Sequence, residues 1–394
     1  MSLYERDVSD LPGIRACADT HGFCLVRNVF TAKEMNDIKA GMKLSHQTFG
    51  DHIPDLLSCP PLREILFDAR VLTIARALLG EDLIYYPETA VNYEETVGPI
   101  TLRPYSKVHC DAVGTPTELV RTWRSPTDAA YRGYRFGLYL QDYEHHSGGL
   151  KLCPGTHHGD PDVHNTKSTG PVGQETFNIG ERVAFWPKVN FPFYNVPSHP
   201  GDLVVWNLRT FHSAGALLLR DDPTRALHPD IEKFVQEQNP DLILPIPGPR
   251  LTIFFDLAAP TEDIDLYIKA RTQRYDSQKF YQLMHSCHDK EGLILHAHRH
   301  GMRMRFDYLI TTLVVGLIEK RTSNPQAIIA RILSMADRHD EFSPYFPLFD
   351  RARYHAAREK NADDALRVVF EGVTAHVAAL AKTRQKYIGQ ALAF

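Results

Sequence analysis

Three side chains in this chain have the types and spacing to hold one metal ion: His109, Asp111 and His212. Two imidazoles and a carboxylate fill one face of an octahedral non-haem Fe(II) and leave the other face to substrates and dioxygen. The carboxylate offsets part of the metal's charge. Donor type alone leaves manganese and nickel as alternatives. Alternation along an extended chain sends His109 and Asp111 to one side and Cys110 to the other. A facial set needs a third direction, so His212 must arrive from another strand. A bare His-x-Asp triplet is weak, because it most often marks a turn or a surface pair. Its context adds weight: the tight turn Pro200-Gly201-Asp202 leads into Leu203-Val204-Val205-Trp206, a buried strand pattern that delivers His212 at its far end.

A second constellation lies in Arg250 to Leu257. Leu251, Ile253, Phe255 and Leu257 face one way; Arg250, Thr252 and Phe254 face the other. An arginine and a threonine on an inward face are costly without a partner. A bound dicarboxylate would supply one through a bidentate guanidinium pair. Arg220 and Arg225 are alternative carboxylate partners. They sit in a charged, proline-containing stretch, 216–249, that reads as loop and short helix, so Arg250 is preferred.

The elements that must position these groups follow from periodicity. Residues 14–30 give a short helix and then the apolar run Gly22 to Phe30. Thr31-Ala32-Lys33-Glu34 is a capping box that starts a helix carrying Met35, Ile38 and Met42 inward. A helix is predicted from Pro61 to Leu79, ended by Gly80. Beyond it come many short strand patterns: 83–86, 90–93, 108–109, 136–141, 150–152, 182–186, 202–206 and 250–257. Separated by Gly, Pro and Asp turns, they predict an all-β barrel or sandwich rather than a βαβ sheet. From about Tyr275 the pattern is helical again. A helix starts at Asn324-Pro325, and a last amphipathic stripe runs through Leu366, Val369, Phe370, Val373, Val377 and Leu380.

Composition bounds the function class. The chain is 43% hydrophobic and 23% charged, with net charge −4 and no long single-sign run, which argues against nucleic-acid or polybasic membrane binding. The longest apolar run, Tyr308 to Ile318, is too short to span a bilayer. The amino terminus is polar and mixed in charge. Six scattered cysteines fit reduced thiols, so a cytoplasmic enzyme is expected.

The order of these segments resembles the phytanoyl-CoA dioxygenase-like family of Fe(II)/2-oxoglutarate oxygenases. The residues that carry the resemblance lie between about 20 and 260: Gly22-Phe23 with Val26-Arg27-Asn28-Val29-Phe30, Ala77-Leu78-Leu79-Gly80, His109-Cys110-Asp111, Ser147 through Pro154-Gly155-Thr156-His157, and Gly201-Asp202 leading to His212. The resemblance implies a mainly β fold with flanking helices: a double-stranded β-helix (jelly-roll, cupin-like) core at about 80–260 in an oxygenase domain 1–275. A helical C-terminal extension, 276–394, would follow, and could serve as a homo-oligomer contact. It implies 2-oxoglutarate on the iron, with O2, and a distal carboxylate paired with Arg250 and Thr252. Asn92 looks like a further cosubstrate contact. The family's arginine usually lies closer behind the second histidine, which keeps Arg220 and Arg225 open. The family's reaction would hydroxylate a small-molecule substrate and release succinate and CO2. The same site could instead desaturate, epimerise or cyclise. Related halogenases carry a small residue at the Asp111 position, so halogenation is not expected. A non-catalytic jelly-roll that binds a small molecule or sugar is the third reading.

The substrate is not legible. Its expected walls are 112–135, 159–181 and the 216–249 insert. Arg121, Trp123, Arg124, Arg132 and Arg135 in the first suggest an anionic substrate, against the blander reading of solvated loop charge. His285, His288, His296, His298 and His300 form a histidine-rich stretch without zinc-like spacing.

Overall fold

The computed structural model describes residues 2–50, 56, 59–94, 109–111, 132–158, 174–179, 182–187, 193–227, 229–261, 264, 296–304, 310, 313–314, 317–318, 324–337 and 348–375. Two compact units emerge. The first comprises 1–80, 88–114 and 121–257; the second comprises 81–87, 115–120 and 258–394.

The first unit opens with a short strand β1 (Glu5–Asp7), helix α1 (Leu11–His21) and strand β2 (Phe23–Arg27). Asp10 caps α1 by accepting from the Gly13 amide, and Gly22 ends it in the left-handed region at φ 82°. Helix α2 (Ala32–Phe49) starts at the expected capping box, with Thr31 and Glu34 satisfying each other's backbone amides. Met35, Ile38 and Met42 are buried along it, as their spacing predicted. The single helix expected from Pro61 to Leu79 is instead broken. A short α3 (Pro60–Arg63) passes through a 3-10 turn, and α4 (Ala69–Leu79) begins afresh. Asp68 is the reason: its carboxylate accepts from the Arg70 amide at 2.9 Å, so it caps a helix rather than lying inside one.

The strands that follow are β3 (Leu83–Glu94), β4 (Gly133–Tyr139), β5 (Gly149–Leu152), β6 (Gln174–Ile179), β7 (Arg182–Pro187), β8 (Tyr194–Asn195), β9 (Leu203–Asn207), β10 (His212–Ala216) and β11 (Arg250–Ala258). The two segments expected at 83–86 and 90–93 form one continuous strand. The larger sheet runs β1-β2-β9-β4-β11-β3; β2 is parallel to β1 and antiparallel to β9, and β9 is antiparallel to β4. A smaller sheet runs β10-β5-β8, and β6 and β7 form a hairpin. One core cluster joins Phe23, Leu25, Tyr139, Val204 and Trp206 of the larger sheet to Leu150, Leu152 and Val196 beside or on the smaller one. The sheets therefore pack on each other through apolar inner faces, as alternating strands require. Between β10 and β11 a helix α5 (Pro229–Gln238) packs Ile231 and Val235 against Leu217, Leu219 and Ile243.

In the second unit, a strand β12 (Met302–Met304) pairs in parallel with Leu83–Tyr85. Helix α6 (Pro325–Asp337) starts where Asn324-Pro325 predicted, with Asn324 accepting from the Ala327 amide at 3.1 Å. Helix α7 (Arg351–Lys360) and a helical stretch over 362–375 complete the described tail. Tyr354 is fully buried and donates to Asp337 at 2.7 Å, which fastens α7 to α6. Val369 and Val373 are buried as their spacing predicted; Val377 and Leu380 lie outside the described residues. Among the described residues, no helix is long and apolar enough to cross a membrane.

Candidate metal centre

His212 opens β10, and β10 is antiparallel to β5 with His212 opposite Leu152. His109 pairs with His212 across an isolated antiparallel bridge. The His109 amide donates to the His212 carbonyl at 3.0 Å, and the His212 amide donates back at 2.8 Å. Their rings lie 4.3 Å apart between centroids. Paired residues project to the same side of a sheet, so both imidazoles face the space between the sheets. Asp111 follows in a turn rather than in a strand. Cys110 points away from both and packs with Cys153 and Phe211 on the other face.

One donor atom from each of His109, Asp111 and His212 lies within 4.8 Å of the others, and among the described residues this is the one such group of three. Asp111 Oδ2 and His212 Nε2 are 3.7 Å apart. Asp111 and His212 are buried and His109 is exposed, so the group is open on the His109 side. The His212 ring is held by a hydrogen bond between Nδ1 and the Thr210 carbonyl at 3.0 Å. That bond assigns the proton to Nδ1 and leaves the Nε2 lone pair for a ligand. Burial pushes the His212 pKa down to about 4, against the opposing pull of Asp111, so the ring is neutral near pH 7, the form that binds metals. The donor set and its geometry therefore fit a divalent ion.

Residues of the glycine- and threonine-containing motifs hold this arrangement from behind. Thr156 Oγ1 accepts from the Phe211 amide at 3.0 Å and donates to the Cys153 carbonyl at 2.8 Å. Thr210 Oγ1 donates to the Gly22 carbonyl at 2.8 Å. A Cβ on Gly22 would come within 2.5 Å of both His157 Nδ1 and Thr210 Oγ1, so the α1–β2 corner tolerates only glycine there. His157, in turn, makes a 3.1 Å hydrogen bond from Nε2 to the Asp19 carbonyl, and burial takes its pKa down to about 3. It is a buried structural histidine.

The second constellation also lies in this unit. Arg250 and Thr252 are buried at the start of β11. Arg250 Nε donates to the Gly148 carbonyl at 3.3 Å, and Asn92 Nδ2 donates to Thr252 Oγ1 at 2.9 Å. Arg220 is exposed and donates to the Asp241 carbonyl at 2.8 Å, while Arg225 is half-buried in the turn before α5. Arg135 differs from its expectation. It is no wall cation: from β4 it reaches Asp111 at 2.7 Å and Asp256 at 2.7 and 2.8 Å. Arg121, Trp123 and Arg124, most of the 159–181 wall, His285 and His288 lie outside the described residues. His296, on a short helix, and His300, in the turn that follows it, pack edge to face at 4.8 Å.

Four further residues complete the surroundings. Asp256 shares the Arg250-Thr252-Phe254 face of β11. The Tyr139 hydroxyl and Trp206 Nε1 are buried and reach no hydrogen-bond partner among the described residues. Burial pushes the Tyr139 phenol up, with Arg250 opposing that rise. The Trp206 ring lies 5.7 Å from that of His212 and 5.9 Å from that of Phe254. Gly137 makes room for it, since a Cβ there would meet the indole at 2.7 Å. The period-2 pattern of Arg135, Gly137 and Tyr139 on β4 was the available signal for this lining.

The family model described as phytanoyl-CoA dioxygenase (PhyH) matches residues 18–218 of the chain. No curated protein matches. Among solved structures, the non-haem alpha-ketoglutarate-dependent epimerase SnoN from nogalamycin biosynthesis is similar at 16% identity and TM-score 0.38, over 64% of this chain and 84% of that one. The non-haem monooxygenase ThoJ gives 15% and 0.40, over 63% and 77%. EctD from S. alaskensis gives 15% and 0.38, over 62% and 75%.

Proposed function

Because the chain belongs to the phytanoyl-CoA dioxygenase family of iron- and 2-oxoglutarate-dependent oxygenases, we propose that it hydroxylates a small or medium organic molecule while 2-oxoglutarate is converted to succinate and CO2. The observation that carries the reading is the His109–Asp111–His212 group, a carboxylate and two imidazoles gathered on one side of a site that stays open on the other. On this reading the three residues hold Fe(II) inside a double-stranded β-helix core. When bound, the iron supplies the activation of dioxygen.

The chain's own residues then do the rest. Arg250 pairs with the distal carboxylate of 2-oxoglutarate, and its burial strengthens that pairing. Thr252, held by Asn92, offers a second donor. The Tyr139 hydroxyl, buried without a partner among the described residues, gives a third polar contact for an anion. The Phe254 and Trp206 rings exclude water around them. Arg220 is less suited, because it is exposed and already used by the Asp241 carbonyl.

The test is a succinate assay with Fe(II), 2-oxoglutarate and a panel of small molecules, run beside His212→Ala. Succinate released by the wild type and not by the variant supports the reading. Equal output from both sinks it. A product heavier by one oxygen marks hydroxylation; one lighter by two hydrogens marks desaturation; an unchanged mass with altered stereochemistry marks epimerisation.

A further inference from the structure

We infer that Arg135 and Asp256 form a positioning device that makes Asp111 a one-oxygen ligand. The inference rests on the metal reading above and adds two residues to it.

The geometry is a chain of three charged groups across three segments. Asp256 on β11 takes Arg135 Nε and Nη2 in a two-pronged pair, at 2.7 and 2.8 Å. Arg135 on the neighbouring β4 then turns Nη1 to Asp111 Oδ1 at 2.7 Å. The three side chains are 4%, 14% and 5% exposed, so the contacts are shielded from water. A guanidinium is planar and rigid, and a bidentate carboxylate on one edge fixes the direction of the remaining N–H groups. Asp256 therefore aims Arg135, and Arg135 fixes the rotation of the Asp111 carboxylate.

The consequence lies at the other oxygen. With Oδ1 held by Arg135, Oδ2 is the oxygen that faces His212 Nε2. A freely turning carboxylate could grip a divalent ion with both oxygens and fill a position that a chelating cosubstrate needs. A carboxylate held on one side presents one oxygen and leaves that position open. Asp111 itself lies in a turn, and the Arg135 contact fixes its carboxylate there. Arg135 reaches both carboxylates from β4 of the larger sheet.

The experiment uses the full-length protein and Co(II), whose visible bands report coordination number. Anaerobic titrations would compare wild type, Arg135→Gln, Arg135→Lys, Asp256→Asn and the double variant, with melting of the metal-free proteins measured alongside. Co(II) affinity is expected to fall by roughly 10- to 100-fold in Arg135→Gln, the usual cost of removing an outer partner of a metal ligand. Asp256→Asn should move affinity and band shape the same way by less. It should add nothing in the Arg135→Gln background, because the two act in series. Arg135→Lys, which keeps the charge but not the fork, should recover part of the loss. Asp256→Asn carries the test by itself if Arg135→Gln does not fold. Wild-type Co(II) affinity and bands in Asp256→Asn and Arg135→Gln would overturn the inference, whatever their melting temperatures. Failure of the wild type itself to bind Co(II) would overturn the metal site, and this device with it.

Discussion

Buried charge lies on both sides of the smaller sheet, and the two sides handle it differently. On the inner face, His212 lies opposite Leu152; one residue along, Ser213 lies opposite Lys151, which points outward. Inside, one guanidinium meets two carboxylates, Asp111 and Asp256, beside a neutral His212. Outside, one ammonium meets one carboxylate: Lys151 pairs with Glu232 of α5, donates to the Leu227 carbonyl at 3.0 Å and lies over the Phe193 ring. Glu232 completes its own set by accepting from the Leu217 amide at 2.9 Å. The outer pair is balanced and closed, and it fastens the 216–249 insert to the back of the sheet. The inner group gathers two imidazoles and a carboxylate oxygen beside these charges and keeps an open side. Buried charge closed on every side is a joint; buried donor atoms left open on one side are a place for a cation.

The contrast can be broken in either direction. The largest effect is expected on the inner face: Asp111→Ala or His212→Ala should abolish metal binding and succinate formation while leaving the fold intact, read by calorimetry and circular dichroism. Loss of the fold in both would make the inner group a joint too. Next comes Glu232→Gln, which strands a fully buried lysine. It should cost about 3–5 kcal/mol in chemical denaturation with Co(II) affinity of the folded protein unchanged. A fall in Co(II) affinity at unchanged stability would show that the outer pair belongs to the site. The sharper version is Lys151→Met with Glu232→Leu. Removing both charges should return stability to within about 1 kcal/mol of wild type or above it, since burial pushes Lys151 down and Glu232 up in pKa and so opposes their ionisation.

The smallest effect belongs to a pair that lacks such burial. Glu34 is held at a pKa of about 2, first by hydrogen bonds from Arg70 and then by those from Thr31. Its folded value is depressed, so its contribution is present above the ordinary carboxylate value of 4.5 and is lost as pH falls through about 2. With both side chains more than a third exposed, water screens the pair. Glu34→Gln should lower melting slightly at pH 7, and the difference should close near pH 2. A difference that persists at pH 2 would assign it to helix capping without charge.

The inner face was more legible in the sequence than the outer one, for reasons that particular residues make plain. His109 and Asp111 could be paired by spacing, and His212 by the turn and buried strand that precede it. Arg250 and Thr252 stood out as polar residues on an otherwise apolar strand. Asp256 continued that alternation, yet a carboxylate at a strand end reads as surface until its partner is known. Arg135 lay among four other cationic or aromatic residues and read as part of their wall; only pairing of β4 with β9 and β11 turns it inward. Nothing in the sequence marks Lys151, which stands between two leucines, because its partner Glu232 comes from a helix in an insert with no motif. The helix break at Asp68 was missed for a related reason. The apolar spacing on either side of it is continuous, and hydrogen bonding, not periodicity, decides where the chain restarts.

The pairing of His109 with His212 through their own backbone amides has a thermodynamic consequence. Two ligands far apart in the chain meet only when β10 has docked and segment 109–111 has laid itself along it. An unfolded chain offers no such pair, so an ion that binds the native chain and not the unfolded one stabilises it by mass action. At an ion concentration one hundred times the dissociation constant, the gain is about 2.7 kcal/mol. Chelation should then lower the melting temperature of the first unit, and the size of that drop, followed against free ion concentration, measures the affinity without any substrate in hand.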